Sequence, residues 1–244
     1  MDHTTVMKEL EAAGTEQYRK VYRRHGMPDP MFGVSYATLG KMTKQIGTDH
    51  DLALRLWKSG NSDARVLATM VADPAQMDQR ALDAWAEDIS WKGIATQVAC
   101  LAARSPAVFE VRNAWIRSSR EGIAAAGWAI GAWLDREGRP VPESDLEATL
   151  AVIEKGIHAA PNGVRLPMLM ALISIGTRSD ALEKKALAAA NRIGKVEVDH
   201  GETGCKTPDP LTYIPKARAH RRAKEAKAAG KAAKKKHPGR AIHP

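Results

Sequence analysis

Residues 78–104 read DQRALDAWAEDISWKGIATQVACLAAR, and their periodicity decides the fold class. Trp91, Ile94, Ala95, Val98 and Leu101 recur at the spacing of one helix face and do not alternate as strand residues do. The stretch predicts two helices, 78–89 and 91–104, meeting at a tight junction. The same pattern spreads in both directions. Leu146, Leu150, Ile153 and Ile157 step by a helical turn each time. Pro74, Pro106, Pro140, Pro142 and Pro161 punctuate the chain, with Gly60, Gly138 and Gly176 at helix ends. About twelve short helices are predicted, near 3–13, 15–25, 36–46, 49–59, 62–72, 78–89, 91–104, 107–118, 120–136, 143–159, 163–175 and 180–194. Pro167 either delays the start of its helix or kinks it.

Paired amphipathic helices of similar length predict an all-α helical-repeat solenoid over residues 1–195, with an irregular globule as the competing arrangement. One pair cannot bury its apolar face alone, whereas stacked pairs make a continuous core. At 44% hydrophobic residues, such a core is within reach. After Gly194 the pattern stops. Residues 196–215, rich in Gly, Pro and Thr, are expected to form an irregular segment packed on the repeats, with Tyr213 and Ile214 available for docking. Residues 216–244 interleave Lys and Arg with Ala and offer no apolar stripe, so a disordered basic tail is expected.

The net charge of +9 over 244 residues belongs to that tail. From Lys216 onward there are eleven Lys and Arg and one acid, Glu225, which leaves the preceding residues at −1. A flexible polycation of this kind binds nucleic acid by releasing counterions. The candidate phosphate contacts there are Lys216, Arg218, Arg221, Arg222, Lys224, Lys227, Lys231, Lys234, Lys235 and Lys236. In the repeats, Arg104, Arg112, Arg117 and Arg120 fall on successive helices or their ends, as do Lys41, Lys44, Arg55, Lys58 and Arg65 before them. They form either a basic track along one concave face or ordinary solvated surface.

Other classes are disfavoured. Two cysteines, Cys100 and Cys205, fit a reducing compartment. The longest uncharged apolar runs, Gly122–Leu134 and Leu166–Thr177, are shorter than the roughly 20 residues of a membrane span. The N-terminal MDHTTVMKELEAAG lacks an apolar core and a cleavage site, so no signal peptide is expected. In His200–Thr207, HGETGCKT, the glycine spacing is wrong for a phosphate loop. Asp199, His200 and Cys205 have no second Cys/His pair to complete a zinc site. No metal or cofactor is expected, and the segment reads as a glycine-turned element packing on the last helices. Trp57, Trp115, Trp128 and Trp133 lie in apolar stretches and read as core. Trp85 and Trp91 flank the junction, where a ring is either buried or shown to a concave surface.

Three stretches together resemble the DNA alkylation repair family, whose members are built from HEAT-like helical repeats. They are YRRHGMPDPMFGVSYATLGKMTKQIG (22–47) with LALRLWKSGNSDARVLATMVADP (52–74), ALDAWAEDISWKGIATQVACLAARS (81–105), and GKVEVDHGETGCKTPDPLTYI (194–214). The resemblance implies an alkylpurine DNA glycosylase scaffold acting on double-stranded DNA. In that chemistry an N3- or N7-alkylated purine leaves as a good leaving group. The protein stabilises the cationic sugar-like transition state with a carboxylate and aromatic faces, while an arginine holds the backbone phosphate.

Carried onto this sequence, the resemblance gives Trp91 for the family tryptophan and Ala95 where the carboxylate belongs, with Lys92 replacing an intervening Asp. The phosphate-holding arginine falls near Ala125, with Arg120 about one turn away. A further Trp and Arg fall near Met170 and Ile173. Asp88 is the nearby carboxylate that could substitute. The sequence therefore leads to a DNA-binding HEAT-like repeat protein with weak or no glycosylase activity, cytoplasmic, nucleoid-associated and monomeric. The alternatives are an active glycosylase with a rearranged site and a protein-interaction scaffold.

Overall fold

The computed structural model describes residues 1–236, with side chains in the last helix described through Lys224 and at Ala226 and Lys227. Among the described residues there are thirteen α-helices and no strand. They are α1 (His3–Ala13), α2 (Glu16–Arg24), α3 (Tyr36–Ile46), α4 (His50–Lys58), α5 (Ser62–Val71), α6 (Gln79–Glu87), α7 (Lys92–Arg104), α8 (Val108–Trp115), α9 (Glu121–Arg136), α10 (Glu143–Gly156), α11 (Asn162–Gly176), α12 (Asp180–Ile193) and α13 (Pro210–Lys236).

Local sequence sets most of these boundaries. Asp2, Thr15, Ser35, Asp49, Asn61, Asp78 and Ser179 each accept a hydrogen bond from a first-turn backbone N–H and start α1 to α6 and α12. Gly47 and Gly194, at positive φ, end α3 and α12. Pro167 lies inside α11, which begins at Asn162, so it does not delay that helix.

The helices stack in two layers. In one, α3, α5, α7, α9, α11 and α13 follow each other as neighbours. In the other, α6 lies against α8 and α10 against α12. The layers are joined by hairpin partners such as α4 with α5 and α11 with α12. This is the expected all-α helical-repeat stack. Its core has two parts that meet on α9. Ile123, Ala126, Ile130 and Leu134 face the N-terminal half, while Ala124, Ala125 and Trp128 face the C-terminal half. Gly127 allows α9 to lie close against α8, because a Cβ there would sit 2.6 Å from the Ile116 nitrogen.

A buried carboxylate fixes the loop before α3. Asp63, fully buried at the start of α5, accepts backbone N–H bonds from Phe32 (2.7 Å), Gly33 (3.0 Å) and Val34 (2.9 Å). Trp57, Trp85, Trp91, Trp115 and Trp128 are buried, and Trp133 is partly so.

The C-terminus departs from the sequence reading. The irregular segment ends at Asp209, and the boundary placed at 216 falls inside α13. The first turns of that helix belong to the fold. Ile214 is fully buried and would touch a Cβ at Gly176, and Arg218 is 9% exposed. The reason is tertiary: Gly176 of α11 and Ala186 of α12 seat Ile214, while Asp135 of α9 and Asp180 and Glu183 of α12 receive the arginines.

Candidate nucleic-acid interface

Neighbours in one layer bring their N-terminal ends together, and α7, α9 and α11 open onto adjoining clefts. The largest, about 440 Å³, lies between α2, α3 and α7, lined by Tyr22, Met27, Tyr36, Trp91 and Gln97 among others. A second, about 240 Å³, is lined by Trp91, Ala95, Glu121, Ala125 and Gly163. The third, about 170 Å³, lies among Arg24, Asn162, Asp199 and His200. Lys92 lines all three, and Trp91 is a wall of the first two. Gly93 is required beside it, because a Cβ would lie 2.4 Å from the Trp91 indole nitrogen.

The helix ends give this surface a fixed polarity. Neither α7 nor α9 has a side-chain cap, so their first-turn N–H groups are available to an anion. At α11 the Glu121 carboxylate fills that role, accepting from the Gly163 N–H. The His200–Thr207 segment docks on the same end. Asn162 exchanges two hydrogen bonds of 2.8 Å with the Asp199 backbone, and Arg165 donates to the Glu197 carbonyl.

The basic residues selected from sequence lie elsewhere. Arg104 donates to the Cys100 and Thr69 carbonyls. Arg112 is half-buried with Thr149. Burial pushes its pKa below the ordinary arginine value, against the pull of Asp145. Arg120 pairs with the Glu87 carboxylate and donates to the Glu87 carbonyl at 2.8 Å. Arg65 reaches Asp88 at 3.1 Å and lies over the Trp57 ring, which stacks on Trp85. Lys41, Lys44 and Arg117 are exposed. None of these seven lines the clefts around Trp91. The basic groups that do are Arg24, His25, Lys92 and His200. Their signal was present in sequence, since Arg24 and His25 sit in the quoted YRRHG and Lys92 follows Trp91.

Asp88 is not placed to act on a substrate. Its carboxylate accepts from the Trp57 indole N–H at 2.9 Å and from Arg65, and it lines none of the three clefts. The tail residues divide into two groups. Arg221 pairs with Asp135 at 2.8 Å, Arg218 with Asp180 at 2.9 Å, and Arg222 with Asp180 and Glu183 at 2.7 and 2.9 Å. Lys216, Lys224 and Lys227 are exposed. The side chains of Lys231, Lys234, Lys235 and Lys236 lie outside the described residues.

The sequence model described as DNA alkylation repair enzyme matches residues 6–207. The chain belongs to the DNA alkylation repair family. An uncharacterized protein of Listeria innocua is 29% identical over 216 residues, 86% of this chain and 94% of its own length. A second, from Listeria monocytogenes, matches to the same extent. A solved structure has a TM-score of 0.82 at 30% identity, covering 88% of this chain and 93% of its own. It is described as belonging to a new family of proteins related to the HEAT-like repeat DNA glycosylases with affinity for branched DNA structures. The fold of this chain is thus that of the HEAT-like repeats.

Within the alkylation repair family, the resemblance places a carboxylate at Ala95 and an arginine near Ala125. Ala95, Ala125 and Trp91 line one cleft. Met170 and Ile173 do not join them: Ile173 is buried in the C-terminal core, with Met170 packed against that core. No helix among the described residues is long and apolar enough to cross a membrane.

Proposed function

We propose that this protein binds branched DNA along the surface formed by the N-terminal ends of α7, α9 and α11, without excising alkylated bases. The observation that carries this reading is the cleft at Trp91. The family resemblance puts the carboxylate at Ala95 and the arginine near Ala125, both apolar and both lining that cleft, and the carboxylate that does line it, Glu121, is committed to the Gly163 N–H. A cationic sugar-like transition state would meet methyl groups where charge stabilisation is needed. Binding requires less. Lys92, Arg24, His25 and the uncapped N–H groups of α7 and α9 suit backbone phosphates. The affinity for branched DNA attributed to the structural neighbour supports a junction over a plain duplex.

The tail contributes through its lysines and Arg240. Arg218, Arg221 and Arg222 are paired with body acids, so at most eight of its eleven bases are counted toward phosphate. The expected log–log salt slope from the tail is then at most about −7, at roughly −0.9 per duplex phosphate.

Two assays test the proposal. Competition between a four-way junction and a duplex of equal length should favour the junction, and equal affinity overturns the preference. Incubation with DNA carrying 7-methylguanine should release base only at the spontaneous rate. Faster release favours the rearranged-site glycosylase, for which Glu121 is the carboxylate in place. Failure to bind either DNA returns the surface to a protein partner.

A further inference from the structure

We infer that the larger cleft, between Tyr36 and Trp91, is a receptor for one unpaired nucleobase at a DNA branch point. This rests on the DNA-binding reading above and names the group that would distinguish a branch from a duplex. At about 440 Å³ the cleft falls in the roughly 300–1,000 Å³ range of small-ligand pockets, whereas the cleft holding Ala95 and Ala125 falls below it.

Its walls suit a flat aromatic ring. Tyr36 is 42% exposed, a large share for an aromatic residue on a helix that packs in the core. Tyr22 holds it edge-on, with centroids 6.3 Å apart, and is itself fixed by a hydrogen bond from its hydroxyl to the Val34 carbonyl at 2.8 Å. Burial keeps the Tyr22 hydroxyl neutral, pushing its pKa up to about 12. Trp91 also lines the cleft, with Met27 and Val21 adding apolar surface. Base–aromatic stacking tolerates any base, because each presents a π-face.

The remaining lining is polar where a base edge would end. Gln97 lines the cleft beside Tyr36, and its amide offers both donors and an acceptor. Thr96 lies one residue before it. The rim carries Lys92 and His25, with Arg24 on the adjoining cleft, beside the uncapped start of α7. A base seated in the cleft against Tyr36 would bring its own phosphate to these cations. An apolar peptide side chain has no use for them, and that charge match favours a nucleotide. In an intact duplex the bases are stacked and paired, so the cleft remains empty and only backbone contacts form.

The test uses the full chain and two duplexes, identical except that one carries a single bulged 2-aminopurine. The wild type should bind the bulged duplex more tightly and quench its emission. Tyr36→Ala should lower that affinity by about 5- to 100-fold, the range of one lost base–aromatic stack, and leave paired-duplex affinity nearly unchanged. Tyr36→Phe should behave as wild type, which separates stacking from the hydroxyl. Gln97→Ala should alter which bulged base is preferred. Circular dichroism confirms that each variant is folded. If Tyr36→Ala binds the bulge as the wild type does and emission is unaltered, the inference is overturned and the cleft passes to an apolar peptide. If the wild type binds no DNA, the DNA-binding reading falls and this inference falls with it.

Discussion

The Glu121 carboxylate, at the first residue of α9, accepts a hydrogen bond from the Gly163 backbone N–H in the first turn of α11. The one carboxylate lining the Ala95 cleft is thereby used as a helix cap. Glu121→Ala should destabilise the protein by about 0.5–2 kcal/mol, the usual effect of losing an N-terminal cap. Glu121→Gln keeps an oxygen acceptor and should lose less. Neither change should alter base release from alkylated DNA. A urea titration beside the 7-methylguanine assay checks both, and a fall in release would identify Glu121 as catalytic.

Restoring the family groups should show what their loss removed. Ala95 is 3% exposed, so Ala95→Asp places a carboxyl in a largely apolar site, at a cost of about 1–3 kcal/mol. Alone it should give no base release, because nothing at position 125 holds the phosphate. The double variant Ala95→Asp/Ala125→Arg should release 7-methylguanine above the spontaneous rate.

The docked part of α13 should respond to pH and salt. Hydrogen bonds from Arg222 and Arg218 hold the Asp180 carboxyl below the ordinary aspartate value of 3.8. A depressed pKa means the stabilisation is complete above 3.8 and disappears as pH falls from there through the lower folded value. Protection from amide hydrogen exchange at residues 214–222, relative to the intrinsic rate at each pH, should therefore fall below pH 3.8. These exposed pairs should also weaken in high salt at neutral pH.

Truncation separates the two roles of the C-terminus. Ending the chain after Pro215 removes Arg218, Arg221 and Arg222 and should lower Tm as well as DNA affinity. Ending it after Ala223 keeps those pairs, so Tm should be unchanged while affinity falls and its salt slope flattens. Equal Tm losses for the two truncations would contradict the docking.

Asp63 links stability to the surface near Trp91. Asp63→Ala would leave two buried backbone N–H groups and a part-buried one without their acceptor, at a cost of about 3 kcal/mol. The loop that it holds leads into Tyr36, so preference for bulged over paired DNA should fall as well. Thermal melts and the bulge competition read the two effects separately.

The twelve helices before Gly194 were legible because each carries its own signals. Asp49, Asn61 and Ser179 cap visibly, Gly47 and Gly194 stop visibly, and alanine-rich stripes show one buried face. Trp91 and Ala95 were legible through family resemblance. The sequence by itself determined the repeat class and the tail's charge, since both are properties of neighbouring residues. Only the tertiary structure decided the rest. The start of α13 contains Pro210 and Pro215 and buries Ile214 alone among large apolar side chains, so no local pattern marks it. It forms where Gly176 leaves room and where Asp180 and Asp135, the latter 86 residues from Arg221, receive its arginines. Tyr36, Lys92, Glu121 and Gly163 likewise come from four helices, and only their stacking side by side brings them to one surface.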